Sequence, residues 1–270
     1  TGINNTLIGG LAGDALTTPN NNVAVGSEAL TADTLGTTSV AIGRSTLKAQ
    51  NFTTSTSTYN TAVGYTAGLS ITTGFQNTLI GGLAGDALTD ADYNVALGVS
   101  ALGSETLGSR NTAIGRSSLT AQNFTTATDS YNTAVGFNAG VSVTTGVQNT
   151  LIGGLAGDSV NTGVRHTIIG YNSGVNLTGG NDCIAIGETT NFSTAAAASQ
   201  IVLGNDVTCI ANGNFTFGSG TSDSNISNGA TTITAPSDVR LKEDIQNEEV
   251  GLNFINDLRP VTFRWKKEKD

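Results

Sequence analysis

An aliphatic residue is followed by a glycine at twelve regularly placed points of the 270-residue chain: Gly9, Gly26, Gly43, Gly64, Gly81, Gly98, Gly115, Gly136, Gly153, Gly170, Gly187 and Gly204. Seventeen positions separate each glycine from the next, except that Gly43 to Gly64 and Gly115 to Gly136 are twenty-one. Four units make a longer super-period, seen as NTLIGGLAGD starting at Asn5, Asn77 and Asn149. Self-similarity at this length marks an architecture in which each unit buries its apolar face on its neighbours, so the expected shape is a rod.

The repeat positions say what each unit is. Ile, Val or Leu precedes every one of these glycines, and a β-branched residue stands three before it, as in Thr6, Val23, Val40, Thr61, Val95, Thr133, Ile184 and Ile201. Side chains alternate along a strand, so these two positions share a face, and the Ala, Leu, Ile or Val between them lies on the other. A strand apolar on both faces has to be covered on both. One face fills the inside of a coil; the simplest cover for the other is further copies of the same chain, and three around an axis would supply it.

Asn stands four before the glycine in eight units, from Asn5 to Asn149, where stacked amides can form a hydrogen-bonded ladder. A small residue and then Gly or Leu follow the glycine, as in Ala12-Gly13, Ala29-Leu30, Ala67-Gly68 and Ala101-Leu102, and mark a turn. The fold class expected is therefore an all-β repeat: a trimeric β-roll or β-helix shaft of about twelve 17-residue coils over residues 1–204. A β neck over 205–236 and a small α+β segment over 237–270 follow it. In that last segment Ile245, Leu252, Ile255 and Leu258 share one helical face, and Val261–Trp265 reads as a strand.

The two longer units take up their extra residues within Asn51–Tyr59 and Asn123–Tyr131. Insertions in repeat proteins emerge on one face, often the binding face. Phe52, Tyr59, Phe124 and Tyr131 are accordingly the receptor-contact candidates, able to stack on sugars, unless they merely close the longer turn.

Composition excludes several classes. The net charge of −9 disfavours nucleic acid, which is held by clustered Lys and Arg. No apolar run reaches the length of a membrane-spanning helix, so no membrane insertion is expected. Cys183, Cys209 and the single His166 make no metal-spaced set, and neither a metal nor a cofactor is expected. The chain starts at Thr1 and has no Met, as a fragment or processed product would. Asp14, Asp86 and Asp158 recur once per super-period, too far apart for the paired acids of a glycan-degrading enzyme. GGLAGDAL lacks the second glycine-aspartate pair of calcium-binding nonapeptide repeats in most units.

The series NTAVGYTAG, NTAIGRSSL and NVALGVSAL resembles the head repeats of trimeric autotransporter adhesins and related shafts of phage tail fibres. That resemblance implies a homotrimeric left-handed β-roll. The C-terminal segment, Ser237-Asp238-Val239-Arg240-Leu241-Lys242-Glu243-Asp244-Ile245 with Gly251–Ile255 and Leu258–Lys266, resembles the start of the intramolecular chaperone of endosialidase-type tailspikes, the peptidase S74 family. What this second resemblance implies is an assembly factor that trimerises the fibre and is then released by cleavage of the Pro236–Ser237 bond, with Ser237 as nucleophile and Lys242 as its base. It also implies a virion tail fibre or spike that attaches to a host-cell receptor and joins other tail proteins on its N-terminal side. A bacterial trimeric surface adhesin, anchored by a downstream barrel, is the alternative.

Overall fold

The computed structural model describes residues 2–220 and 222–230. The chain divides into two units, Thr1–Ala235 and Pro236–Asp270. The first is a β-solenoid of about 13 turns with no helix among its described residues. Its main sheet has 14 strands. Each coil contributes one short strand, such as Thr6–Ile8, Val23–Val25 and Val40–Ile42, stacked parallel on the next. Register follows the repeat: Thr6 pairs with Val23, and across the longer unit Val40 pairs with Thr61, so the extra residues leave the sheet undisturbed.

The middle residue of each strand points inward. Ala24, Ala41, Ala62, Leu79, Ala96, Ala113, Ala134, Leu151, Ile168, Ala185 and Val202 have no exposed surface and run as a column through the core. The glycine that ends each strand is required twice over. Gly26 has φ +134°, which side chains rarely adopt, and a Cβ there would lie 2.4 Å from the Gly43 carbonyl oxygen of the next coil.

Core volume is shared between two positions of the coil. Where the fourth residue after the glycine is Gly, the seventh is aliphatic and fills the space, as in Gly68 with Ile71 and Gly85 with Leu88. Where the fourth is a buried leucine (Leu30, Leu47, Leu102, Leu119), no room remains, and the seventh is polar: Asp33, Gln50, Glu105 and Gln122.

The expected asparagine ladder is present. Asn60 Oδ1 accepts the Asn77 backbone N–H at 2.9 Å, and Asn77, Asn94, Asn111 and Asn132 pass the same contact along to Asn149. Most of these amides also donate from Nδ2 to a turn carbonyl further along the coil, as Asn77 does to Ala91 at 2.8 Å. His166 then takes the asparagine's place. Its amide N–H donates to Asn149 and its Nδ1 accepts from the Cys183 amide at 3.3 Å, while Nε2 is buried without a hydrogen-bond partner. Burial lowers the His166 pKa to about 4, the nearby Gly179 backbone acting the other way.

Past Gly204 the repeat register ends but the sheet does not. Strand Asn214–Ser219 stacks parallel on Ile201–Asn205, with Ile201 opposite Phe215, so a shortened coil extends the solenoid into the segment read from sequence as a neck. Strand Ser222–Ser227 then turns back antiparallel to it. The rest of the expected neck, 231–236, and the helix and strand expected in 237–270 lie outside the described residues.

Candidate functional site

Both longer units are built on a buried carboxylate in the preceding coil. Asp33 Oδ1 accepts the amides of Gly36 at 3.0 Å and Phe52 at 3.1 Å, and its Oδ2 accepts from Gln50 Nε2 at 2.6 Å. In the second unit Glu105 Oε1 accepts from the amides of Thr106, Leu107, Gly108 and Phe124, and Oε2 from Gln122 Nε2 at 2.7 Å. Gln50 and Gln122 in turn accept from the ladder residues Asn60 at 2.9 Å and Asn132 at 2.8 Å. No basic side chain contributes to these contacts; the charge is carried by N–H donors, the arrangement that makes a buried carboxylate tolerable.

This anchor decides where the insertion goes. With the amides of Phe52 and Phe124 pinned to the carboxylates, the chain beyond them turns outward, leaving Thr53, Thr54 and Ser55 exposed in one loop and Thr125, Thr126 and Ala127 in the other. It returns along the preceding coil: Thr56–Ser57 pairs with Gly36–Thr37, and Thr128–Asp129 with Gly108–Ser109.

The four receptor-contact candidates therefore separate into two kinds. Tyr59 and Tyr131 are 57% and 51% exposed, as a contact surface requires. Phe52 and Phe124 are each 7% exposed and close the turn from inside, so the expectation that they present rings to a ligand is corrected. The cause is local: a phenylalanine whose amide is tied to a buried acid has the core as its nearest apolar surface.

Sequence reasoning missed what lies between the tyrosines. Coil register puts Tyr59, Gln76, Tyr93, Arg110 and Tyr131 in one column, each at the fifth position before a turn glycine. The Arg110 guanidinium lies 4.6 Å from the Tyr93 ring centre and 5.8 Å from that of Tyr131. Phe75 meets Tyr93 edge-on at 5.3 Å. Arg110 is held by Asp129 at 3.0 Å, and this hydrogen bond raises the guanidinium pKa further. Asp92, beside them, has its carboxyl pKa raised, chiefly by burial. The signal was available only as a column, since each of these residues is a whole coil away from the next in the chain.

A second surface is the outer face of the sheet. Ile8, Ile42, Ile80, Leu97, Ile152, Ile186 and Leu203, which precede the turn glycines, are 37 to 59% exposed, and the Thr, Val and Ile three before the glycine line up beside them. The row before the glycines is aliphatic in every coil and keeps coil-by-coil register, while the row beside it varies between Thr and Val or Ile, a more regular arrangement than the scattered apolar residues of an ordinary surface.

Among the described residues no group of three or more His, Cys, Asp or Glu is placed to hold a metal, and no helix is long and apolar enough to cross a membrane. Cys183 and Cys209 are buried free thiols, and burial raises the Cys183 pKa. Pro236, Ser237 and Lys242 lie outside the described residues.

Comparison with known proteins bears on that last segment. Neither the search of curated proteins nor that of solved structures found a match. Residues 237–270 match the peptidase S74 family model, described as the chaperone of endosialidase.

Proposed function

We propose that this chain is the shaft of a trimeric viral tail fibre or spike, a rod for host-cell attachment whose folding is guided by a C-terminal chaperone that then cuts itself free. The observation that carries the reading is a chaperone-of-endosialidase match that follows a β-solenoid in the chain. A chaperone of its own is what a chain with an uncovered apolar sheet needs, because such a face is prone to wrong association until its partners are in place.

The trimer is formed by the outer sheet face. Three copies in parallel register bring the Ile and Leu column of each against the others, and burial of this array stabilises the assembly at about 25 cal/mol per Å². The fibre sits on the outside of the virion, joined to other tail proteins on its N-terminal side and to a host surface receptor along its exposed corners.

Release follows serine chemistry. Lys242, uncharged once desolvated, takes the proton from Ser237 Oγ as that oxygen adds to the Pro236 carbonyl carbon. The carbon–nitrogen bond of Pro236–Ser237 breaks, and the Ser237 nitrogen leaves with the proton as a free amine. Water then hydrolyses the ester, leaving a carboxylate on Pro236.

The test is made on the chain extended through its whole chaperone. Mass spectrometry should find a C-terminal product beginning at Ser237, and sedimentation of the remaining shaft should give three copies. An intact product sedimenting as a stable folded monomer would overturn the reading.

A further inference from the structure

We infer that the corner column between the two insertions, centred on Tyr59, Tyr93, Arg110 and Tyr131, binds a neutral linear saccharide laid along the solenoid axis. This rests on the attachment reading above and names the ligand class of the surface.

The fold does not need these residues. The fifth position before the turn glycine is a corner with positive φ in every coil, and Asn4, Asn21, Thr38, Asp182 and Ser199 fill it as well as Tyr does. Yet three of the five tyrosines of the chain stand in this one column, on alternate coils, confined to the stretch that the two insertions bound. With coils stacked at the spacing of a parallel sheet, successive tyrosines are about 10 Å apart and Tyr59 is about 19 Å from Tyr131, the span of a short oligosaccharide.

The chemistry suits a sugar chain. The two end rings, Tyr59 and Tyr131, are the most exposed aromatic groups of the column and offer an apolar face with a hydroxyl at its edge, which is how an aromatic side chain meets the C–H face of a pyranose. Between them the stacked Tyr93–Arg110 pair, fixed by Phe75 and Asp129, presents hydrogen-bond donors in a set geometry, and Gln76 adds an amide. A rigid surface of this kind loses little side-chain entropy on binding. The hydroxyls of Thr53, Thr54, Ser55, Thr125 and Thr126 stand exposed on the adjoining loops.

The saccharide is neutral because Arg110 is already paired. Asp129 holds it, and Asp90 and Asp92 lie close enough to interact with one another, so an anionic chain would meet carboxylates rather than a free cation. The column is at the corner that precedes the strand, four positions before the Ile and Leu row assigned to the trimer.

The full chain is tested on an array of immobilised neutral linear hexasaccharides, α- and β-linked, beside sialylated and uronate-containing ones, together with attachment to bacterial cells. Tyr59→Ala and Tyr131→Ala should each weaken binding to a neutral hexasaccharide about three- to tenfold, and Arg110→Gln likewise, with sedimentation unchanged. Binding only to anionic saccharides, binding to none, unaltered binding in all three variants, or loss of binding that merely accompanies loss of assembly would each overturn the inference. Cell attachment by the parent chain without binding to any neutral saccharide would leave the attachment reading standing and remove this one. Saccharide binding without attachment to any cell would do the reverse.

Discussion

Gln50 donates to the buried carboxylate of Asp33 across 2.6 Å, and one super-period later Gln122 makes the same contact with Glu105 at 2.7 Å. The two acids differ by a methylene, yet each receives the glutamine from the coil that follows and the amide of the phenylalanine that opens the insertion. Leucines at the fourth position leave room only for a flat polar group, and the relay uses that room to define where the chain leaves the coil.

The relay has a fixed direction. Gln122 Oε1 is committed to Asn132, so its Nε2 must meet an acceptor. Glu105→Gln sets two amide donors against each other in the core and should destabilise the chain by about 1–3 kcal/mol. Adding Gln122→Glu restores an acceptor toward both neighbours and should recover most of that loss. Thermal unfolding of the two single variants and the double gives the coupling; additive losses would show that the two side chains act independently.

These acids were the least legible part of the sequence. Asp33 and Glu105 stand in polar stretches where nothing local marks them as buried, and their glutamine partners belong to the next coil, so only coil register brings them together. Phe52 and Phe124 misled for the same reason: an insertion has no period from which burial can be inferred. The strand columns were legible because each coil repeats the same demand. An inward alanine or leucine, an outward Ile or Val and a glycine with no space for a Cβ recur at a constant interval, and Asn recurs wherever an amide must bridge to the next coil. The tyrosine column had the same interval but occupied only alternate coils, so it was visible as chemistry only after the coils were stacked.

His166 gives the shaft a pH-sensitive step. Its folded pKa of about 4 lies below the ordinary 6.5, so the unfolded chain binds the extra proton first. Stability is full above about pH 6.5 and falls as pH drops toward 4, by up to about 3 kcal/mol per chain. Protonation would also turn Nδ1, the acceptor for the Cys183 amide, into a donor. Arg165 disfavours the charged ring and Asp182 favours it. His166→Asn restores an amide to the ladder and should be the more stable protein at pH 5. Denaturant unfolding of both proteins from pH 7.5 to 4 checks this, and parallel curves with a constant gap would exclude the histidine as the source.

The outer sheet face distinguishes a fibre from a free solenoid. Ile114 is half-buried in the single chain, whereas its neighbour Ala113 has no exposed surface. Ile114→Asp should therefore cost an isolated solenoid little, but several kcal/mol per chain where three sheets meet. Ala113→Asp should unfold the coil in either state. Sedimentation and circular dichroism together separate the cases: folded monomer from Ile114→Asp supports the trimer face, and an unaltered trimer would place the contact elsewhere.

Replacement of either member of the proposed dyad should leave an uncleaved trimer when the chain carries its complete chaperone. On that proposal Ser237→Ala would remove the attacking oxygen and Lys242→Ala the base that takes its proton; both residues lie outside the repeats of 1–204 in the sequence, so the repeats remain able to fold. The consequence extends to stability. A shaft released in the proposed way would lose the factor that brings three chains together, and refolding would mean ordering all of them again, so the cleaved protein should unfold irreversibly while the uncleaved variants refold after denaturation. Gel analysis before and after a cycle of guanidinium unfolding reads both outcomes. Release of the C-terminal piece at the parent rate from Ser237→Ala would remove the serine from the mechanism, and the same result from Lys242→Ala would remove the lysine.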